Sequence, residues 1–261
     1  MALFTDGSIS TLDQLAAEDS AVLDVASTEG IDATAKLSLA QEEVGMELTA
    51  AIARSPFVNP SVWWPGSTIT QPPLQLQQIV VTSPLRLWHT FRTLELVYRD
   101  AYYNQLNDRY QGKWNEYKDL AKWAAATLFQ TGAGVVSDPI PIAQTPTLTV
   151  LSGTLPALMY FVQISWLNSR GEEGLASPVA SINAPNQSTV QVSVSAWPTN
   201  AVAWSVYAGA SVDSITLQNN TAWSPGQVWA APSSGLISGA APGTGQAPNF
   251  FQPIPRLLQR G

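Results

Sequence analysis

The hydrophobic period of this chain changes once, near residue 145, and that change limits the fold more than any single motif. Before it, apolar residues recur every three or four positions. After it they recur every second position, as in "MYFVQISW", where Tyr160, Val162, Ile164 and Trp166 alternate with other residues. A period near 3.6 belongs to amphipathic helices and a period of 2 to half-buried strands, so an α+β chain of segregated parts is expected. "STVQVSVSAW" alternates Val190, Val192 and Val194, and "AVAWSVYAG" alternates Val202, Trp204 and Val206. "NSRGEEG", "APNQ", "WPTN" and "AWSPGQ" supply turn chemistry at sandwich-like intervals. Residues 138–246 are therefore expected to form a small antiparallel β-sandwich with Tyr160, Val162, Ile164, Trp166, Val192 and Trp204 in its core. The chain has no cysteine to bridge two sheets, so Trp166 and Trp204 are the expected core centres.

Residues 1–137 read as helical. Ser10, with Asp13 three residues on, is expected to cap a first helix that stops at Gly30. Asp32 is expected to cap a second helix, with Ile31 as a staple and a stripe of Leu37, Ala40, Val44, Leu48 and Ile52. Five prolines in 55–73 exclude a regular element there, and its Trp63 and Trp64 are expected to pack against the helices or a neighbouring subunit, with a small-ligand site as the alternative. Ser83-Pro84 opens a helical stretch running to Thr131, with a break around Asn104–Asp108. "TGAG" ends it, and "DPIPIAQTP" reads as a stiff linker.

Within that stretch, "AYYNQLNDRYQGKWNEYKDLAKWA" mixes large aromatics with cations. Helical spacing puts Tyr103, Leu106, Tyr110, Trp114, Tyr117, Ala121, Ala124 and Leu128 on one stripe, with Arg109, Lys113, Glu116, Asp119 and Lys122 mostly off it. On this reading Tyr103, Tyr110, Trp114, Tyr117 and Trp123 form a bundle seam or a subunit interface, and a nucleic-acid platform loses its basis. The charge agrees: the net is −7, and residues 1–50 hold ten acids against Lys36 alone. Duplex binding draws most of its affinity from neutralised phosphates, which an acidic chain does not supply.

No motif calls for catalysis, a cofactor or a metal. His89 is the only histidine, it has no cysteine beside it, and it reads as a packing or helix-surface residue. Glu42/Glu43 and Glu172/Glu173 are sequence neighbours rather than carboxylates opposed across a cleft. The glycines of "GTGQAPNF" lack the strand–turn–helix setting of a phosphate loop. The start "MALFTDGS" has no basic, apolar leader, and no run approaches a membrane span, so neither a secretory signal nor membrane association is expected.

"TLDQLAAEDSAVLDVASTEGIDATAKLSLAQEEVGMEL" followed by "RTLELVYRDAYYNQLNDRYQGKWNEYKDLAKWA" resembles the head–tail connector (adaptor) proteins of tailed bacteriophages. "YFVQISWLNSRGEEGLASPV", "AWSVYAG" and "WAAPSSGL" resemble the fibronectin/immunoglobulin-like modules of virion proteins. The resemblance implies an antiparallel helical bundle with an appended sandwich, and a structural role in the virion neck. It further implies a ring of about twelve copies between the portal protein and a tail or nozzle protein, with genome DNA passing through unread. Charged residues are only 12% of the chain, about half the usual share, which suits extensive subunit contact. Part of the acid excess is expected to face the channel and repel phosphate. An extended arm, 247–261, is expected to dock in a portal groove through Phe250, Phe251, Ile254, Arg256, Leu257, Leu258 and Arg260. The competing expectation is a decoration or receptor/carbohydrate-binding protein, which would present Trp197, Trp223 or Trp229 in an exposed row.

Overall fold

The computed structural model describes residues 1–54, 74–105 and 108–254; the expected Pro-rich loop with Trp63 and Trp64 lies outside them. The chain is mixed α+β, with five α-helices and three antiparallel sheets among the described residues. It divides into two compact units, Gly7–Val136 with the segment that begins at Pro248, and Met1–Asp6 with Ser137–Ala247. Residues 1–6 thus join the strand unit, and the segment from Pro248 joins the helical one. Leu3 and Phe4 are buried in the strand unit, where Asp6 accepts the backbone N–H groups of Leu3 and Ile142, each at 2.8 Å.

The helical unit has three helices where two were expected before residue 55: α1 (Leu12–Glu18), α2 (Val22–Thr28) and α3 (Ala33–Arg54). Thr11, not Ser10, caps α1, closing a capping box with Gln14. Ser10 is unavailable because its hydroxyl turns inward, to His89 Nδ1 at 2.8 Å and Thr90 Oγ1 at 2.9 Å. Asp19 then ends α1, and its carboxylate accepts the Ala21 N–H at 3.0 Å, turning the chain into α2. Gly30, at φ +67°, carries the chain to Asp32, which caps α3 by accepting from Thr34 and Ala35. Leu37, Ala40, Val44, Leu48 and Ile52 form the buried side of α3.

Helices α4 (Ser83–Gln105) and α5 (Gln111–Thr131) follow. Ring contacts pair Trp88 with Phe129, Tyr98 with Tyr117 and Tyr102 with Trp114, so the two helices run antiparallel along their aromatic sides. Arg92 on α4 ties α3 to it through Glu43 while also holding Glu95. Gly132, at φ +99°, stops α5 and sends the chain into a strand that periodicity did not predict. Strands β1 (Ile79–Val80), β2 (Ala133–Val135) and β10 (Phe250–Gln252) form a small sheet in the order β1-β2-β10. The expected free arm is therefore partly built in: Phe250 lies opposite Val135 and Phe251 opposite Gly134.

The strand unit contains β3 (Thr147–Leu155), β4 (Leu158–Leu167), β5 (Ala180–Ala184), β6 (Ser188–Ser193), β7 (Ala203–Gly209), β8 (Thr216–Leu217) and β9 (Trp229–Ala230). They make two sheets, β3-β6-β9 and β5-β4-β7-β8, with every neighbouring pair antiparallel. Residues of both sheets share one hydrophobic core. Alternate positions of β6 are buried, as the period of 2 requires, whereas β7 is buried on both sides from Trp204 onward. The β3–β6 register shifts between Ser152 and Leu155, where a Cβ on Gly153 would lie 2.7 Å from Ser188 backbone atoms.

Candidate functional site

Two groups of functional candidates lie on the helical unit, the aromatic side of α4 and α5 and the strand β10. The expected seam divides into a buried part and an exposed part. Tyr110 and Tyr117 are buried and Trp114 half-buried, but Tyr103 is 57% and Trp123 56% exposed. The reason is phase. Tyr103 belongs to α4, about 140° around the helix from buried Tyr98, and Trp123 stands about 120° around α5 from Tyr117. A stripe counted through the break between the helices does not survive the change of axis.

Around the buried part, Tyr98 and Tyr117 donate to one oxygen of Asp19, and Lys113 Nζ stands 3.3 Å from that same oxygen. Burial alone would raise the carboxyl's pKa. The two phenol bonds, the Ala21 N–H and the Lys113 charge outweigh it and hold Asp19 below its ordinary value. The same burial and the same carboxylate push both phenols well above theirs. Tyr110 adds a bond of 3.0 Å to Glu29.

Around the exposed part, Tyr102, Tyr103 and Trp114 form a three-ring corner with centroids 5.4 to 5.8 Å apart. The cations are not segregated from the rings, contrary to expectation. Arg109 lies over Tyr110, Lys113 over Tyr117 and Lys118 over Trp114, at 5.2, 5.3 and 5.7 Å. Long basic side chains arch back over the aromatic faces, an arrangement the position of a Cα on a helical wheel does not reveal.

On β10, Phe250 is 46% and Phe251 56% exposed, while Ile254 is buried. Pro248 and Thr82 close over Gly134, where a Cβ would meet Thr82 Cγ2 at 2.8 Å and Pro248 Cβ at 3.1 Å. Arg256, Leu257, Leu258 and Arg260 lie outside the described residues.

The six expected core residues of the strand unit, Tyr160, Val162, Ile164, Trp166, Val192 and Trp204, are all buried in its single cluster. The tryptophans considered for a sugar-binding row do not line up on the surface. Trp197 is exposed, Trp223 is partly buried against the core and bridged to Trp204, and Trp229 is buried. A cleft between Gln144, Thr147, Ile164, Trp166, Ser193 and Ala196 has a volume of about 10 Å³, room for about one water. Glu172 and Glu173 serve loop structure: Glu173 accepts from Ser165 and Tyr207, and Glu172 from Asn168 and Gln246.

His89 is fully buried, with Nε2 3.0 Å from the Leu37 carbonyl and Nδ1 facing Ser10. Among the described residues no cluster of three or more His, Cys, Asp or Glu is placed to hold a metal ion, and no helix is long and apolar enough to cross a membrane. Asp13, Glu18, Asp24 and Glu42 are exposed on α1, α2 and α3. No protein-family model matches the chain, and no curated protein matches it.

Proposed function

We propose that this chain is a structural protein of the bacteriophage neck, forming a ring of about twelve copies that joins the portal to the tail and continues the DNA channel. The observation that carries the reading is the pair Phe250 and Phe251, large apolar rings fixed on a strand by pairing with β2 yet turned to the surface. An apolar pair held in place has already lost much of the ordering entropy a docking arm must lose, which favours a partner groove. The aromatic corner of Tyr103 and Trp114, with Trp123 elsewhere on α5, supplies further surface for subunit contact. A head-to-tail ring needs two different faces on each copy. In this reading the helices form the connector bundle. The two sheets around one core form an immunoglobulin- or fibronectin-like sandwich, and the exposed acids of α1 to α3 line a channel that repels phosphate.

The test is co-assembly of purified chain with portal, followed by mass measurement and imaging. The wild type is expected to form a portal-dependent ring, and Phe250→Ala/Phe251→Ala to keep its fold but lose the ring. A chain that stays monomeric with portal and instead binds glycans through Trp197 would favour the decoration reading.

A further inference from the structure

We propose that His89, Ser10, Thr90 and the Leu37 carbonyl form an acid-released latch that holds the Gly7–Thr11 segment against α4. The inference is independent of the neck reading and rests on hydrogen-bond geometry. The imidazole is fully buried and both of its nitrogens are engaged. A carbonyl only accepts, so Nε2 carries the proton and donates to Leu37, and Nδ1 must accept from the Ser10 hydroxyl. Ser10, its proton committed, accepts in turn from Thr90 at 2.9 Å. One neutral ring thereby ties together three segments: the strap before α1, the first turns of α3, and α4.

A second proton on the ring reverses the Ser10 bond and leaves a cation in a closed site. The charged residues nearest it along those elements are Asp13 on α1, Lys36, Glu42 and Glu43 on α3, and Arg86, Arg92 and Glu95 on α4. None of them bonds the imidazole; Lys36 is paired with Asp100, and Arg92 with Glu43 and Glu95. A buried cation without a counter-charge is relieved by admitting water. Long packed helices resist opening, while the strap is held mainly by buried Ile9, the Ser10 bonds and the Gln41 Nε2 bond to the Gly7 carbonyl at 2.8 Å. The strap is therefore the element that yields first. Burial, opposed by the Leu37 bond, keeps the closed-state imidazole below its ordinary value of 6.5. The latch is fully closed above that value and weakens as pH falls from there toward the closed-state value.

Hydrogen exchange of the full chain between pH 7.5 and 4.5, corrected for intrinsic rates, tests this. Opening of residues 7–11 is expected to rise by up to about tenfold per pH unit below 6.5, with α4 unchanged. Because the chain has one histidine, a single imidazole titration by NMR identifies His89, and its midpoint is expected to coincide with strap opening. His89→Gln is expected to remove the pH dependence. Strap exchange indifferent to pH, strap and α4 opening together, or a pH response that survives in His89→Gln would overturn the latch. Should His89→Gln not fold, a wild-type imidazole that titrates without any change at residues 7–11 overturns it equally.

Discussion

Tyr98 and Tyr117 stack with ring centroids 5.6 Å apart and donate their hydroxyls, each at 2.8 Å, to the same oxygen of Asp19. One carboxylate at the end of α1 thus fixes the two long helices α4 and α5 to the N-terminal pair. Asp19→Ala leaves two buried phenols without an acceptor and is expected to cost about 3 kcal/mol in urea unfolding at pH 7. The folded-state pKa lies below the ordinary 3.8, so this stabilisation is present above 3.8 and is lost as pH falls through the folded value. The acid limb of the wild-type stability profile should accordingly flatten in the variant.

Trp166 and Trp204 stand directly opposite one another on β4 and β7, and both are fully buried. Each Trp→Ala change is expected to cost roughly 3–5 kcal/mol, and the double variant less than the sum, because the two deletions share one cavity. Calorimetry of the single and double variants measures the coupling.

Trp123→Ala removes an exposed ring and should leave stability within about 0.5 kcal/mol of wild type, whereas Tyr103→Ala also loses its contacts with Tyr102 and Trp114 and should cost about 0.5–1 kcal/mol. Trp114→Ala, which loses stacking on Tyr102 and the Lys118 contact, should cost about 1–2 kcal/mol. If the neck reading holds, all three variants assemble poorly with portal despite this difference in thermal stability. Normal assembly of all three would remove the aromatic corner and Trp123 from the proposed interface.

Gly134→Val drives a side chain into Thr82 and Pro248 and is expected to lift β10 off β2 at a cost of about 1–3 kcal/mol. Limited proteolysis should then cut near residues 248–252. On the neck reading, co-assembly with portal falls as well, because the two phenylalanines are no longer held.

Much of the architecture was legible along the chain. The single change of period separates helices from strands, and the alternation in β4 and β6 and around Trp204 names six members of the strand unit's larger core. Local chemistry also marks Gly30 and Asp32 at the turn into α3. Each of these signals acts over a few residues, which is why a linear reading recovers it.

Other features were settled only in three dimensions. Asp19 reads as one acid among ten, yet its partners lie 79 and 98 residues away. Ser10 reads as a helix cap, yet a histidine 79 residues away claims its hydroxyl. The strands of the β1-β2-β10 sheet are two or three residues long, too short for any period to register, and they pair only because packing brings distant segments together. The phase of the aromatic stripe likewise depends on the break between α4 and α5. The type of each long element and most of its buried side can be read along the chain, because they follow from backbone geometry repeated every few residues. Which polar groups meet and which aromatics remain at the surface emerge only on packing, because they depend on distances between segments that no local pattern encodes.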